Sequence, residues 1–142
     1  MDGSIPDVFI TGAQVNVFNY LKQATLYVLN SSSEGFPNGL AEAMTCGLPV
    51  LAADCPYGPR EILSISLNKR QITEVEYANY GILLPVSGSF PNQSIHHTWH
   101  TTIATILNSI PLQEKYGHLA VARMREFSKT RIINQWREII EA

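Results

Sequence analysis

Four short apolar runs, at residues 8–11, 25–29, 49–53 and 81–86, constrain the fold most. They are rich in Val, Ile, Leu and Tyr and lack the apolar–polar alternation of a half-exposed sheet. Continuous runs of this length suit parallel strands buried on both faces. Helical stretches lie between them. Phe18, Leu21 and Lys22 fall near helical spacing within 18–24. Residues 38–46 end at Gly47, a natural residue just past a helix. Pro59 stands at the start of a short helix over 59–63. Strand–helix alternation predicts α/β layers with right-handed crossovers.

After Val86 the pattern changes to a polar loop at 87–94 and three helices, near 97–109, 112–127 and 130–141. The last helix carries Ile132, Ile133, Trp136, Ile139 and Ile140, a stripe expected to bury one face as core. The stretch 64–79 holds Lys69, Arg70, Glu74 and Glu76 without a clear period and reads as a surface loop. At 142 residues the chain has the size of one domain. Apolar residues reach 45% and charged ones 15%, a core-forming composition that argues against wholesale disorder. The net charge of −2 and a pI near 6.0 give no basic nucleic-acid footprint. No apolar run approaches a membrane span and no leader pattern is visible near the start. Cys46 and Cys55 read as two reduced thiols. The expected location is cytoplasmic, with the cytoplasmic face of the membrane as the alternative.

The informative stretch follows the second run. Small polar residues Ser31, Ser32 and Ser33 precede Glu34, Gly35, Phe36 and Pro37, and a helix opens near Asn38. Ligands of open parallel sheets bind beyond the carboxyl ends of the strands. A helix N-terminus offers free N–H groups and partial positive charge to a phosphate. Gly35 and Gly39 allow close approach to the backbone. Glu34 and Glu42 bracket that point, and carboxylates bind sugar hydroxyls as strong acceptors. A molecule anionic in the middle and hydroxylated at both ends fits, and a nucleotide sugar has that shape. The competing reading makes Glu34 a helix-dipole acid and Glu42 a solvent-facing residue.

Ser33-Glu34-Gly35-Phe36-Pro37-Asn38-Gly39-Leu40-Ala41-Glu42-Ala43-Met44 closely resembles the E-x7-E segment of family 4 retaining glycosyltransferases, which have the GT-B fold. Cys46-Gly47-Leu48-Pro49-Val50 and Gly58-Pro59-Arg60-Glu61-Ile62-Leu63 resemble the next two signatures of that family. Phe9-Ile10-Thr11-Gly12-Ala13-Gln14-Val15-Asn16 resembles its F-x-G-x-x-x-N turn, and Tyr80-Gly81-Ile82-Leu83-Leu84-Pro85-Val86 its G-x-L-x-P strand. The order and spacing of these signatures make the likeness specific. It implies a partial Rossmann-like parallel sheet of about four strands with flanking helices, the C-terminal half of a GT-B fold.

The resemblance implies roles by position. Glu34, the catalytic candidate, contacts hydroxyls of the donor sugar, and Glu42 holds the ribose hydroxyls. The N–H groups of Phe36, Asn38, Gly39 and Leu40, beside Gly35, meet the diphosphate and sugar; Pro37 has no N–H to offer. The backbone of Gln14 or Val15 grips the base. For Glu61, helix N-terminal charge and ligand contact both stand. No cofactor or donor-site metal is implied, since the nucleotide-diphosphate sugar is a substrate. The partners implied are that donor and a glycan or lipid-linked acceptor, in polysaccharide biosynthesis.

The family's donor half begins with two strand–helix units carrying an Arg and a Lys that neutralise the diphosphate. Five residues precede Pro6, and Lys22, Arg60 and Lys69 are not at matching positions. The chain is therefore expected to be a fragment in which donor binding survives and turnover does not. The alternative is a non-catalytic nucleotide-sugar-binding or regulatory module. Without the first two units, residues 8–11 are expected to pair directly with 25–29, or else two chains to associate edge to edge. His96 and His100 sit four apart, but no Cys, Asp or Glu between Val86 and Gln113 supplies a third ligand, so a polar helix face is expected. Ser31 to Ser33 lack a nucleophile frame and read as a loop cluster. Arg123, Arg125, Lys129 and Arg131 read as a solvated helix face, with anionic lipid headgroups as the second reading.

Overall fold

The computed structural model describes residues 7–66, 72–88 and 92–141. In chain order the elements are α1 (Phe18–Leu21), β1 (Tyr27–Leu29), α2 (Asn38–Thr45), β2 (Val50–Ala53), α3 (Pro59–Leu63), β3 (Glu76–Tyr77), β4 (Ile82–Leu84), α4 (Gln93–Leu107), α5 (Ile110–Glu126) and α6 (Lys129–Ile140). The strands form one sheet in the order β1-β2-β4-β3. β1, β2 and β4 are parallel, with Tyr27 opposite Val50 and Leu51 opposite Ile82. The short β3 runs antiparallel along β4, with Glu76 opposite Leu83. The result is a Rossmann-like α/β layer structure.

The absence of alternation in the central strands has a direct cause. Val50, Ala52 and Leu83 enter one core cluster with Leu40, Ala43 and Met44 of α2. Leu51, Ala53, Ile82 and Leu84 enter the other with Trp99, Ile106 and Tyr116. Both faces are covered, so every residue of β2 and β4 is apolar and buried. α5 serves both layers through Ala120 and Tyr116. The buried Trp99 indole N–H donates to the Pro85 carbonyl at 2.9 Å, which removes the cost of burying it. Gly47 at φ 79 ends α2 as expected.

Four expectations need correction. Residues 8–11 form no strand; they run irregularly between left-handed Asp7 and Gly12, with Phe9 85% and Ile10 96% exposed. A strand needs a neighbour's free edge, and this segment lies against none among the described residues. Direct pairing with 25–29 is thereby overturned. Second, β1 begins only at Tyr27, and Val28 is partly exposed because β1 is an edge strand. Third, the loop expected over 64–79 contains β3, held where Glu76 meets Arg60; Lys69 and Arg70 lie outside the described residues. Fourth, the α6 stripe is not core: Trp136, Ile139 and Ile140 are all exposed. Helices α1 to α5 already cover the sheet, so the stripe has nothing left to bury against among the described residues. The start of α4 also lies earlier than expected, at Gln93, because the Asn92 side chain caps it by accepting from the Ser94 and Ile95 N–H groups.

Candidate functional site

The carboxyl ends of β1, β2 and β4 point the same way, so the segments 30–37, 54–58 and 85–88 gather on one edge of the sheet. Ser87 Oγ donates to Asn30 Oδ1 at 2.9 Å and ties the first of these to the third. The Asp54 N–H donates to the Leu84 carbonyl at 2.8 Å. Gly58 closes the middle loop at φ +88; a Cβ there would stand 2.6 Å from the Gly35 carbonyl oxygen and 2.8 Å from Pro37 Cδ. The loop after β2 is therefore pressed against the loop after β1. Sequence reasoning placed Gly58 in a signature but did not assign it this role; the Gly-Pro pair opening α3 was the available signal.

A buried ion cluster holds the middle loop. Arg60 Nε and Nη2 donate to the two Asp54 oxygens at 2.8 and 2.7 Å. Nη1 and Nη2 donate to Glu76 at 3.2 and 2.8 Å. The hydrogen bond to Asp54, outweighing desolvation, pushes the Arg60 guanidinium further up from its already high value. Its charge is engaged inside the fold.

α2 opens without a side-chain cap: Pro37 occupies the N-cap position, and no acidic residue stands in the first turn. The N–H groups of Phe36, Asn38 and Gly39 make no hydrogen bond among the described residues. Leu40 differs. Its N–H donates to the Pro37 carbonyl at 3.1 Å. The Phe36 ring packs against Phe127, centroids 6.0 Å apart. Arg123 lies 4.9 Å from the ring centres of both Phe127 and Tyr80. It also donates to the Glu61 and Ile62 carbonyls at 2.9 Å each, in the last turn of α3. Arg123 therefore leaves the basic cluster read as a solvated face, while Arg125, Lys129 and Arg131 are exposed. Glu61 is an exposed residue in the first turn of α3.

Glu34 and Glu42 are both half-buried, and neither forms an ion pair among the described residues. Both act on the Tyr27 phenol: burial first, then the charges of Glu34 and Glu42, push it above the ordinary tyrosine value. Burial likewise pushes the Cys55 thiol up, with a smaller contribution from Glu34. The charges of both glutamates thus act on one ring of β1. The Gln14 amide donates to the Thr11 carbonyl at 2.6 Å and accepts from the Tyr20 hydroxyl at 3.1 Å. Ala13 to Asn16 line an open depression of about 360 Å³ with Asn19, Tyr20 and Gln23. No described hydrogen bond joins Gln14 or Val15 to the 34–42 segment. His96 and His100 are exposed on α4. Among the described residues no three His, Cys, Asp or Glu cluster as metal ligands, and no helix is long and apolar enough to cross a membrane.

Comparison with known proteins bears on this edge of the sheet. Residues 2–77 match the family model described as glycosyl transferases group 1. An uncharacterized glycosyltransferase of Methanocaldococcus jannaschii is 32% identical over 145 aligned residues, covering 95% of this chain and 36% of that protein. The GtfA subunit of the UDP-N-acetylglucosamine–peptide N-acetylglucosaminyltransferase of Streptococcus agalactiae is 28% identical over 85% of this chain and 21% of its own length. A lipopolysaccharide 1,6-galactosyltransferase of Salmonella typhimurium is 44% identical over 34% of this chain and 13% of its own. The chain spans about a third or less of the length of these relatives.

Proposed function

The chain belongs to the group 1 glycosyl transferases, and from that membership we propose that it supplies the nucleotide-sugar-binding part of a retaining, GT-B glycosyltransferase. The observation that carries this reading is the uncapped start of α2, with three N–H groups without partners among the described residues, flanked by Glu34 and Glu42. The N–H groups of Phe36, Asn38 and Gly39 bind the diphosphate, which the helix dipole favours. Glu42 accepts from the ribose hydroxyls and Glu34 from hydroxyls of the transferred sugar. Gly35 keeps the loop open to the ligand, and the backbone of Gln14 or Val15 receives the base. The Leu40 N–H, which also meets the Pro37 carbonyl, joins the diphosphate donors.

The transferred group is a hexose or hexosamine, in keeping with the galactosyl- and N-acetylglucosaminyltransferase names of the relatives. The acceptor is a glycan or a lipid-linked glycan. Exposed Arg125, Lys129 and Arg131 suit contact with anionic headgroups at the cytoplasmic face of a membrane. Chemical-shift mapping with UDP, GDP and ADP tests the site. Shifts at 12–16 and 31–42 with at least one nucleotide are expected; shifts confined to other residues for all three overturn the assignment.

A further inference from the structure

We propose that the Tyr27 hydroxyl is a third side-chain group of this site, donating a hydrogen bond to the diphosphate between the two glutamates. The proposal rests on the donor-site reading given above. The Tyr27 ring packs on the core beneath α2. Its hydroxyl stands at Gly39, the second residue of that helix: a Cβ on Gly39 would lie 2.6 Å from Tyr27 Oη. Any larger residue at 39 would push the hydroxyl away, so the small residue on α2 and the long one on β1 form a matched pair. Among the described residues the hydroxyl has no hydrogen-bond partner, and no buried side-chain oxygen there lacks one. It therefore reaches solvent, close to Gly39 at the start of α2.

Charge decides what this group takes. Glu34 and Glu42 both lie close enough to disfavour a phenolate. A phenol kept protonated is a donor, and the two carboxylates, as acceptors, leave an anionic ligand short of donors other than the backbone. A phosphate oxygen over the α2 N-terminus has the matching chemistry. Tyr27 then adds a neutral donor from the sheet side, where the backbone N–H groups come from the helix side.

Tyr27→Phe removes the hydroxyl and keeps the ring in the core. Isothermal titration with UDP, GDP and ADP, and with inorganic pyrophosphate, compares it with the unaltered chain and with Glu42→Ala. Tyr27→Phe should weaken the nucleotide that binds, and pyrophosphate, by about tenfold, the worth of one hydrogen bond to a charged group. Glu42→Ala should weaken the nucleotide but not pyrophosphate. The Tyr27 ζ-carbon resonance should move on adding pyrophosphate, which a purely structural role would not produce. Unchanged affinity in Tyr27→Phe beside a loss in Glu42→Ala overturns the Tyr27 role and leaves the donor site standing. No effect of either substitution on a nucleotide that does bind overturns both.

Discussion

Gly58 and Gly35 are in direct backbone contact: the Gly58 α-carbon faces the Gly35 carbonyl so closely that a Cβ would come within 2.6 Å of its oxygen. Gly58 also holds φ +88, a conformation that costs other residues strain. The loop carrying Glu34 is thus shaped by the turn after β2. Gly58→Ala should lower stability by about 1–3 kcal/mol. It should also shift the amides of Glu34, Gly35 and Phe36. Denaturant unfolding and an amide spectrum check both, and unchanged resonances at these three residues would contradict the coupling.

Arg60 is the second support. Its side chain and that of Asp54 are 10% and 6% exposed, whereas Glu76 is 34% exposed. Arg60→Ala leaves Asp54 buried and uncompensated, and should cost about 3–5 kcal/mol. Glu76→Ala should cost far less, because water reaches that carboxylate. Urea midpoints for the two variants test the order; equal losses would contradict it.

Stability should fall in alkali. Tyr27, Tyr116 and Cys55 all have folded values raised above their ordinary ones, chiefly by burial. A raised value means that the unfolded chain loses the proton first, so the folded state is favoured fully below the unfolded value and less as pH rises through the folded one. The loss should begin near pH 9 to 10, the ordinary thiol and phenol range. Thermal unfolding from pH 7 to 11 measures it, and Tyr27→Phe should flatten the slope. A midpoint that rises above pH 10 would contradict the sign.

Local chemistry was legible where it acts through neighbours in sequence. Gly47 closes α2, Pro59 opens α3, and the apolar continuity of 50–53 and 82–84 announced strands buried on two faces. What escaped depends on distant partners. Val8 to Thr11 has strand composition but does not pair with the free edge of β1, and a strand is defined by its neighbour. The α6 stripe has helical period yet covers no layer among the described residues. β3 exists because Glu76 reaches an arginine sixteen residues away, which no local pattern encodes. At the site, Glu34 and Glu42 stood out by spacing, but Tyr27, whose phenol feels both charges, lies earlier on β1 and carries no motif. The bond from the Leu40 N–H to the Pro37 carbonyl is likewise a backbone detail that side-chain identity does not specify.

The central claim is that Glu34 and Glu42 receive opposite ends of a nucleotide sugar. Glu34→Ala and Glu42→Ala are the sharpest test, each titrated calorimetrically with a nucleoside diphosphate and with the corresponding nucleotide sugar. Glu42→Ala should weaken both ligands by about tenfold, since each carries the ribose. Glu34→Ala should weaken the nucleotide sugar alone and leave the nucleoside diphosphate unchanged. Equal losses for both ligands in both variants would contradict the account.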